Sequence, residues 1–223
     1  AVMQIQQSHF FATDLFTNLF MFLAIVFAVE IILWKEKNTD DEPDEEKSLP
    51  QRYFLFFTHP LTLLSLAFGF ALGMAMASKI NAAALSLLLP GAFLVRYFIH
   101  DHKHGKWPGA DYLTFTAVFL IAGGLATIIS FRIFQPYAFD GLGLNPQWIS
   151  NIAEQRAQAA GSDLPWNLQW ARRTHLYSFE NLTIWGLGLP LGILAWAGFL
   201  LMGWRILKGE KRHLLLWGWA AFY

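Results

Sequence analysis

An all-α, polytopic transmembrane helix bundle is the fold class this sequence predicts, and three observations predict it. Fifty-five per cent of the 223 residues are hydrophobic. The charged side chains, 16 basic and 16 acidic, crowd into a few segments and leave long stretches with none. Five of those stretches approach or exceed the roughly 20 apolar residues a helix needs to cross the hydrocarbon core. This pattern predicts about five spanning helices, a truncated sixth and one amphipathic helix outside the membrane.

The first stretch, 15–29, spans once it is extended outward to Phe10 and Trp34, which leaves Asp14 and Glu30 near its ends. The second, 53–78, is long enough by itself. The third, 80–95, reaches spanning length by taking in 96–98, where Arg96 is expected to snorkel to the interface. The fourth, 112–131, and the fifth, 182–204, span directly. A sixth begins at His213 and stops at Tyr223, too short to cross. The chain starts without a methionine or a cleavable leader. Both ends read as cuts in a longer protein.

Three parts organise the chain. Residues 1–134 carry the first four spans and an acidic loop at 35–52. Residues 135–181 form an extracytoplasmic loop with an amphipathic helix at about 146–160, and residues 182–223 carry the fifth span and the truncated sixth. Most lysines and arginines fall in the loops after the first, third and fifth spans. Lys79, Arg132, Arg156, Arg172 and Arg173 make up the rest. The positive-inside rule therefore puts the odd loops in the cytoplasm and 135–181 outside the plasma or inner membrane.

Formal net charge is zero, so no global field recruits nucleic acid. The expected partners are membrane lipids and other transmembrane helices. With no cysteine, neither a disulfide framework nor a thiolate metal site is available. Asp40, Asp41, Glu42, Asp44, Glu45 and Glu46 read as a solvated linker, with an acidic docking site as the sharper alternative. His100, His102 and His104 read as loop residues rather than metal ligands. No phosphate loop, nucleophile elbow or dinucleotide fingerprint occurs, and no cofactor or metal site is evident.

Small residues mark helix contacts. Gly69 and Gly73, with Ala67, Ala71, Ala75 and Ala77, let backbones approach in lipid. Gly188 and Gly192 repeat the spacing, and Gly123 and Gly124 are expected to do the same work. Pro60 and Pro90 are expected to bend or end their helices.

The outward loop holds the densest polar pattern. Asn145-Pro146 reads as an N-cap followed by proline at the first helical position. Trp148, Ile149, Ile152 and Ala153 then share one face, and Gln147, Asn151, Glu154 and Gln155 lie largely on the other. Gly161 is expected to end that helix. Trp166 and Trp170 fit either an aromatic belt at the interface or a surface on which a sugar ring stacks. Arg172 and Arg173 fit a phosphate, a headgroup, or an ion pair with Asp163 or Glu180.

An ordered series runs through this region: 132–139 (RIFQPYAF), 144–148 (LNPQW), 154–159 (EQRAQA), Gly161, Asp163, Pro165, 169–172 (QWAR), Asn181 and 185–188 (WGLG). It resembles the YYY-type integral membrane proteins, related to the GT-C glycosyltransferases that include the polyprenyl-phosphate-mannose protein mannosyltransferases. The likeness is dense over 132–192 and rests on hydropathy and spacing alone across the first three spans. Residues 140–143 are shorter than the segment the family has there. The resemblance implies part of a membrane-embedded transferase using a polyprenyl-phosphate sugar donor, with the catalytic acid outside these residues. Carried over position by position, it implies substrate contacts at Arg132, Gln135, Tyr137, Arg156, Trp170 and Arg172. The alternative is a non-enzymatic subunit or scaffold of a larger membrane complex.

Overall fold

The computed structural model describes residues 13–35, 57–101, 109–160 and 174–222. Among these the fold is all-α, with one short hairpin. The helices are α1 Thr13–Leu33, α2 Pro60–Ser78, α3 Leu88–Arg96, α4 Ala110–Phe134, α5 Pro146–Ala159, α6 His175–Glu180, α7 Leu189–Leu207 and α8 Leu214–Phe222. Strands β1 Phe139–Asp140 and β2 Gly143–Leu144 make the hairpin. Five helical runs are long and apolar enough to cross a membrane: α1, α2, Ile80–His100, Tyr112–Phe134 and α7. The chain divides into two compact units. One is Phe16–Phe131 with Phe199–Tyr223, and the other is Ala1–Leu15 with Arg132–Gly198.

Local chemistry sets the helix ends. Asp14 lies in the first turn of α1, where a carboxylate favours the positive end of the helix dipole. Pro60 opens α2, a position where its missing N–H costs nothing. The His59 ring caps the same end, its Nδ1 accepting from the Leu61 N–H at 3.2 Å. Pro60 therefore starts the helix.

The third span is one run in three windings: a 3-10 stretch Ile80–Leu87, then α3, then a π turn Tyr97–Asp101. The sequence predicts a plain helix here. Pro90 supplies a reason for the change of winding. It has no N–H to give the Ser86 carbonyl, and the turn before it tightens to an i to i+3 pattern, as the Leu88 N–H to the Leu85 carbonyl shows.

The fifth span also departs from expectation. It starts at Leu189 rather than at 182. The residues before it form α6 and a π turn Asn181–Gly186, and the chain breaks at Gly188, whose φ is +81°. That left-handed conformation needs glycine. Pro190 sits in the first turn, which tolerates it.

The core of the larger unit is built on close backbone approach. Ala24, Ala28 and Ile31 of α1 are fully buried, as are Phe68, Ala71 and Ala75 of α2. A Cβ at Gly69 would collide with the Gly123 carbonyl of α4, and one at Gly73 would lie 2.6 Å from the Thr127 carbonyl oxygen. Ser130 Oγ donates across this contact to the Phe70 carbonyl at 3.1 Å. Tyr112 Oη donates to the Phe93 carbonyl at 2.8 Å and ties α4 to α3. Such bonds and small-residue contacts hold helices together where lipid offers no hydrophobic drive. Ile121, Leu125, Ile128 and Ile129 of α4 are exposed, an apolar surface suited to acyl chains.

Two expectations about small residues are corrected. Gly124 faces open space and makes no close contact, and neither does Gly188. Gly192 does pack closely, but against its own chain: a Cβ there would lie 2.5 Å from the Thr183 carbonyl oxygen.

Arg96 is corrected as well. It does not snorkel. It is 5% exposed, and its Nη1 donates to the carbonyls of Trp34 and Ile31 while the guanidinium lies over the Trp34 ring. His100, expected in a loop, instead lies half-buried in the π turn, with Nε2 2.9 Å from the Ile32 carbonyl oxygen. Together they satisfy carbonyls that the C-terminus of α1 leaves without helical partners, and the positive charge complements the negative end of its dipole.

Candidate functional site

The densest constellation of expected site residues lies in the smaller unit, where the chain leaves α4. Arg132 falls in the last turn of α4, a favourable place for a cation. Gln135 leaves the helical region and precedes a 3-10 turn, Pro136–Ala138. The chain then folds back through β1 and β2, with Phe139 opposite Leu144 and Asp140 opposite Gly143. Gly141 takes a φ of +58° at the bend, which a glycine adopts without strain.

Asn145 ties the hairpin to α5. Its Oδ1 accepts from the Gln147 N–H at 2.9 Å and caps α5. Its Nδ2 donates to the Tyr137 carbonyl at 3.1 Å, and its own N–H donates to the Ala138 carbonyl at 3.0 Å. One residue thus joins helix, hairpin and turn over the fully buried Ala138. The predicted N-cap and proline-first start of α5 are both present. Trp148 and Ile152 are half-buried and Gln147, Glu154 and Gln155 exposed, but the expected two faces are not clean: Ile149 and Ala153 are exposed and Asn151 is half-buried.

Arg132 is exposed yet engaged. Nη2 donates to the Gly141 carbonyl at 2.6 Å, and the guanidinium lies 5.0 Å from the centre of the Phe139 ring. The tip of the hairpin is therefore held by a charge-assisted bond, about twice as strong as a neutral one. Tyr137 is half-exposed and Gln135 half-buried beside it in the chain. Arg132, Gln135 and Tyr137 thus belong to one local structure. Arg156 lies ten residues along α5 from Pro146, a helical rise of about 15 Å. Trp170 and Arg172 lie outside the described residues, as do Asp163, Trp166 and Arg173.

The motif residues after this loop form a second cluster. Asn181 Nδ2 donates to the Tyr177 carbonyl at 2.8 Å. Trp196 Nε1 donates to Thr183 Oγ1 at 3.0 Å, and its ring meets Phe179 with centroids 4.8 Å apart. Trp185 is largely exposed. This packing fixes the π turn against α7.

Among the described residues no group of three or more His, Asp or Glu side chains converges as a metal site. His102, His104 and the acidic run at 40–46 lie outside them. No family model, no curated protein and no solved structure matches the chain.

The dual role of Asn145 is hidden in the sequence. Only its capping signal, Asn-Pro, is readable there; the bond to Tyr137 depends on the hairpin between them. Arg96 likewise looks like an interface anchor because its carbonyl partners lie more than 60 residues away.

Proposed function

We propose that this chain is part of a membrane-embedded glycosyltransferase that takes its sugar from a polyprenyl-phosphate carrier at the outer membrane surface. The observation that carries this reading is the platform at the end of α4. Three residues of the motif series, Arg132, Gln135 and Tyr137, share one ordered turn and hairpin at the end of an apolar span. A lipid-linked phosphate presents its charge at that depth, and an exposed guanidinium matches phosphate oxygens. Arg132 then offers its remaining donors to the phosphate, and Tyr137 and Gln135 contact sugar or lipid. In transfer, the acceptor oxygen bonds to the anomeric carbon as the bond from that carbon to the phosphate oxygen breaks. The acceptor's proton passes to a general base, and no described residue is assigned that role.

The test is sugar transfer by the full protein in membrane vesicles supplied with a polyprenyl-phosphate sugar. Arg132→Ala is expected to lower transfer about tenfold or more, the effect of losing roughly 1.4 kcal/mol of transition-state binding. Tyr137→Phe, which leaves the backbone platform intact, is expected to raise KM. Unchanged transfer in both variants, with folding intact, would remove them from the site.

A second reading has a specific observation behind it. The Arg132 guanidinium already serves the Gly141 carbonyl and the Phe139 ring, which suits a structural arginine in a non-enzymatic subunit. On that reading Arg132→Ala lowers stability and leaves transfer by the folded fraction unchanged.

A further inference from the structure

The larger unit carries an amphipathic crevice where its helices end in a basic turn. α8 lies along α3, and between them runs a groove of about 270 Å³ lined by Leu94, Val95, Gly91, Leu215, Gly218 and Trp219. Gly218 faces open space, so the groove has room above it. Leu214, the first residue of α8, also lines it. The 3-10 turn Lys211–His213 immediately precedes Leu214.

That turn and the end of α7 are basic. Arg205, Lys208, Lys211 and Arg212 are all exposed. Lys208 Nζ lies 5.0 Å from the centre of the Trp204 ring, and Lys211 Nζ lies 5.7 Å from that of Phe98. Within this turn Glu210 accepts from Arg212 Nη2 at 2.9 Å and lies 3.3 Å from His213 Nε2. Arg212 is thus bonded to Glu210; Arg205, Lys208 and Lys211 are the further exposed cations of this turn and the end of α7, and the Lys211 ammonium lies over Phe98, just past the end of α3.

We propose that this crevice binds one anionic phospholipid, its phosphate against Lys208 and Lys211 and an acyl chain in the groove between α3 and α8. Charge selects the occupant. A purely apolar groove in a membrane takes any hydrocarbon chain, but basic side chains where a span meets water favour anionic headgroups. Lysines held over aromatic rings keep their stems against the apolar surface while the ammonium reaches the headgroup. The volume is near the lower end of those typical of small-molecule sites, which suits one chain rather than a whole lipid.

The full chain is exchanged into detergent micelles with equal phosphatidylglycerol and phosphatidylcholine, and retained lipid is counted by native mass spectrometry. One phosphatidylglycerol per chain is expected, preferred roughly tenfold, as a few basic side chains at a membrane surface produce. Lys208→Gln with Lys211→Gln is expected to abolish the preference, and Lys211→Arg to keep it. Gly218→Leu meets no atom near its Cβ, so it fills the groove and is expected to remove retention of either lipid. Equal retention of the two lipids by the unaltered chain overturns the proposal. So does a preference that survives the double lysine variant, or retention that survives Gly218→Leu in a chain shown to be folded by circular dichroism.

Discussion

Arg96 and Arg132 carry the same guanidinium and meet different solvents. Arg96 is buried and spends its donors on the carbonyls that end α1. Arg96→Met therefore strands buried acceptors and is expected to cost about 2 kcal/mol of stability, within the range for orphaned polar groups. Arg96→Lys should recover only part of that, because an ammonium lacks the planar fork. Denaturant unfolding in micelles measures both. Asn145→Ala removes the cap of α5 and is expected to cost about 1 kcal/mol, with added loss of order at the Tyr137 carbonyl. The Glu210 carboxyl is held below the usual carboxylate range chiefly because Arg212 hydrogen-bonds it; desolvation opposes this, and the His213 bond and the charges of Arg205 and Arg212 add to the lowering. A depressed carboxyl stabilises the fold above its unfolded pKa and loses that contribution as pH falls through the folded value. An NMR titration of Glu210 should show the depression, and Arg212→Gln should raise the value back toward normal.

Glycines show how an element changes the meaning of a residue. Gly73 sits where a Cβ would press on the α4 backbone at 2.6–2.9 Å, whereas Gly124 meets nothing within 4 Å. Gly73→Ala is expected to destabilise by about 1–3 kcal/mol through overpacking. Gly124→Ala is expected to stabilise α4 by up to about 1 kcal/mol, since alanine is the better helix former. Thermal melts of the two variants in the same detergent should move in opposite directions. Sequence marks these positions as alike, because spacing shows that a face is small without showing what lies against it. Helix existence is legible for a related reason: apolar length alone decides it in a bilayer. Helix winding is not. The 3-10 and π stretches of the third span and the break at Gly188 depend on which carbonyls find donors, and the phase of hydrophobicity does not encode that.

For the whole molecule, the sequence is informative about the solvent and much less about the site. Five uncharged runs become five helices able to cross a membrane, because backbone polar groups in hydrocarbon must be satisfied within the segment. The Asn145-Pro146 helix start is legible because capping is local. The union of Arg132, Phe139 and Gly141 is not, since it depends on the turn and hairpin that bring them together. The transferase reading requires the hairpin and α5 outside the membrane and the basic turn after α7 inside, with α7 crossing between them. The chain has no cysteine, so single-cysteine labelling reads this directly. Leu142 at the hairpin tip is fully exposed, and Lys208 is exposed beyond the end of α7. In intact cells a membrane-impermeant maleimide is expected to label Leu142→Cys at once and Lys208→Cys only after permeabilisation. Labelling of both from the same side would mean that α7 does not cross, and the outward platform with the transferase reading built on it would fall.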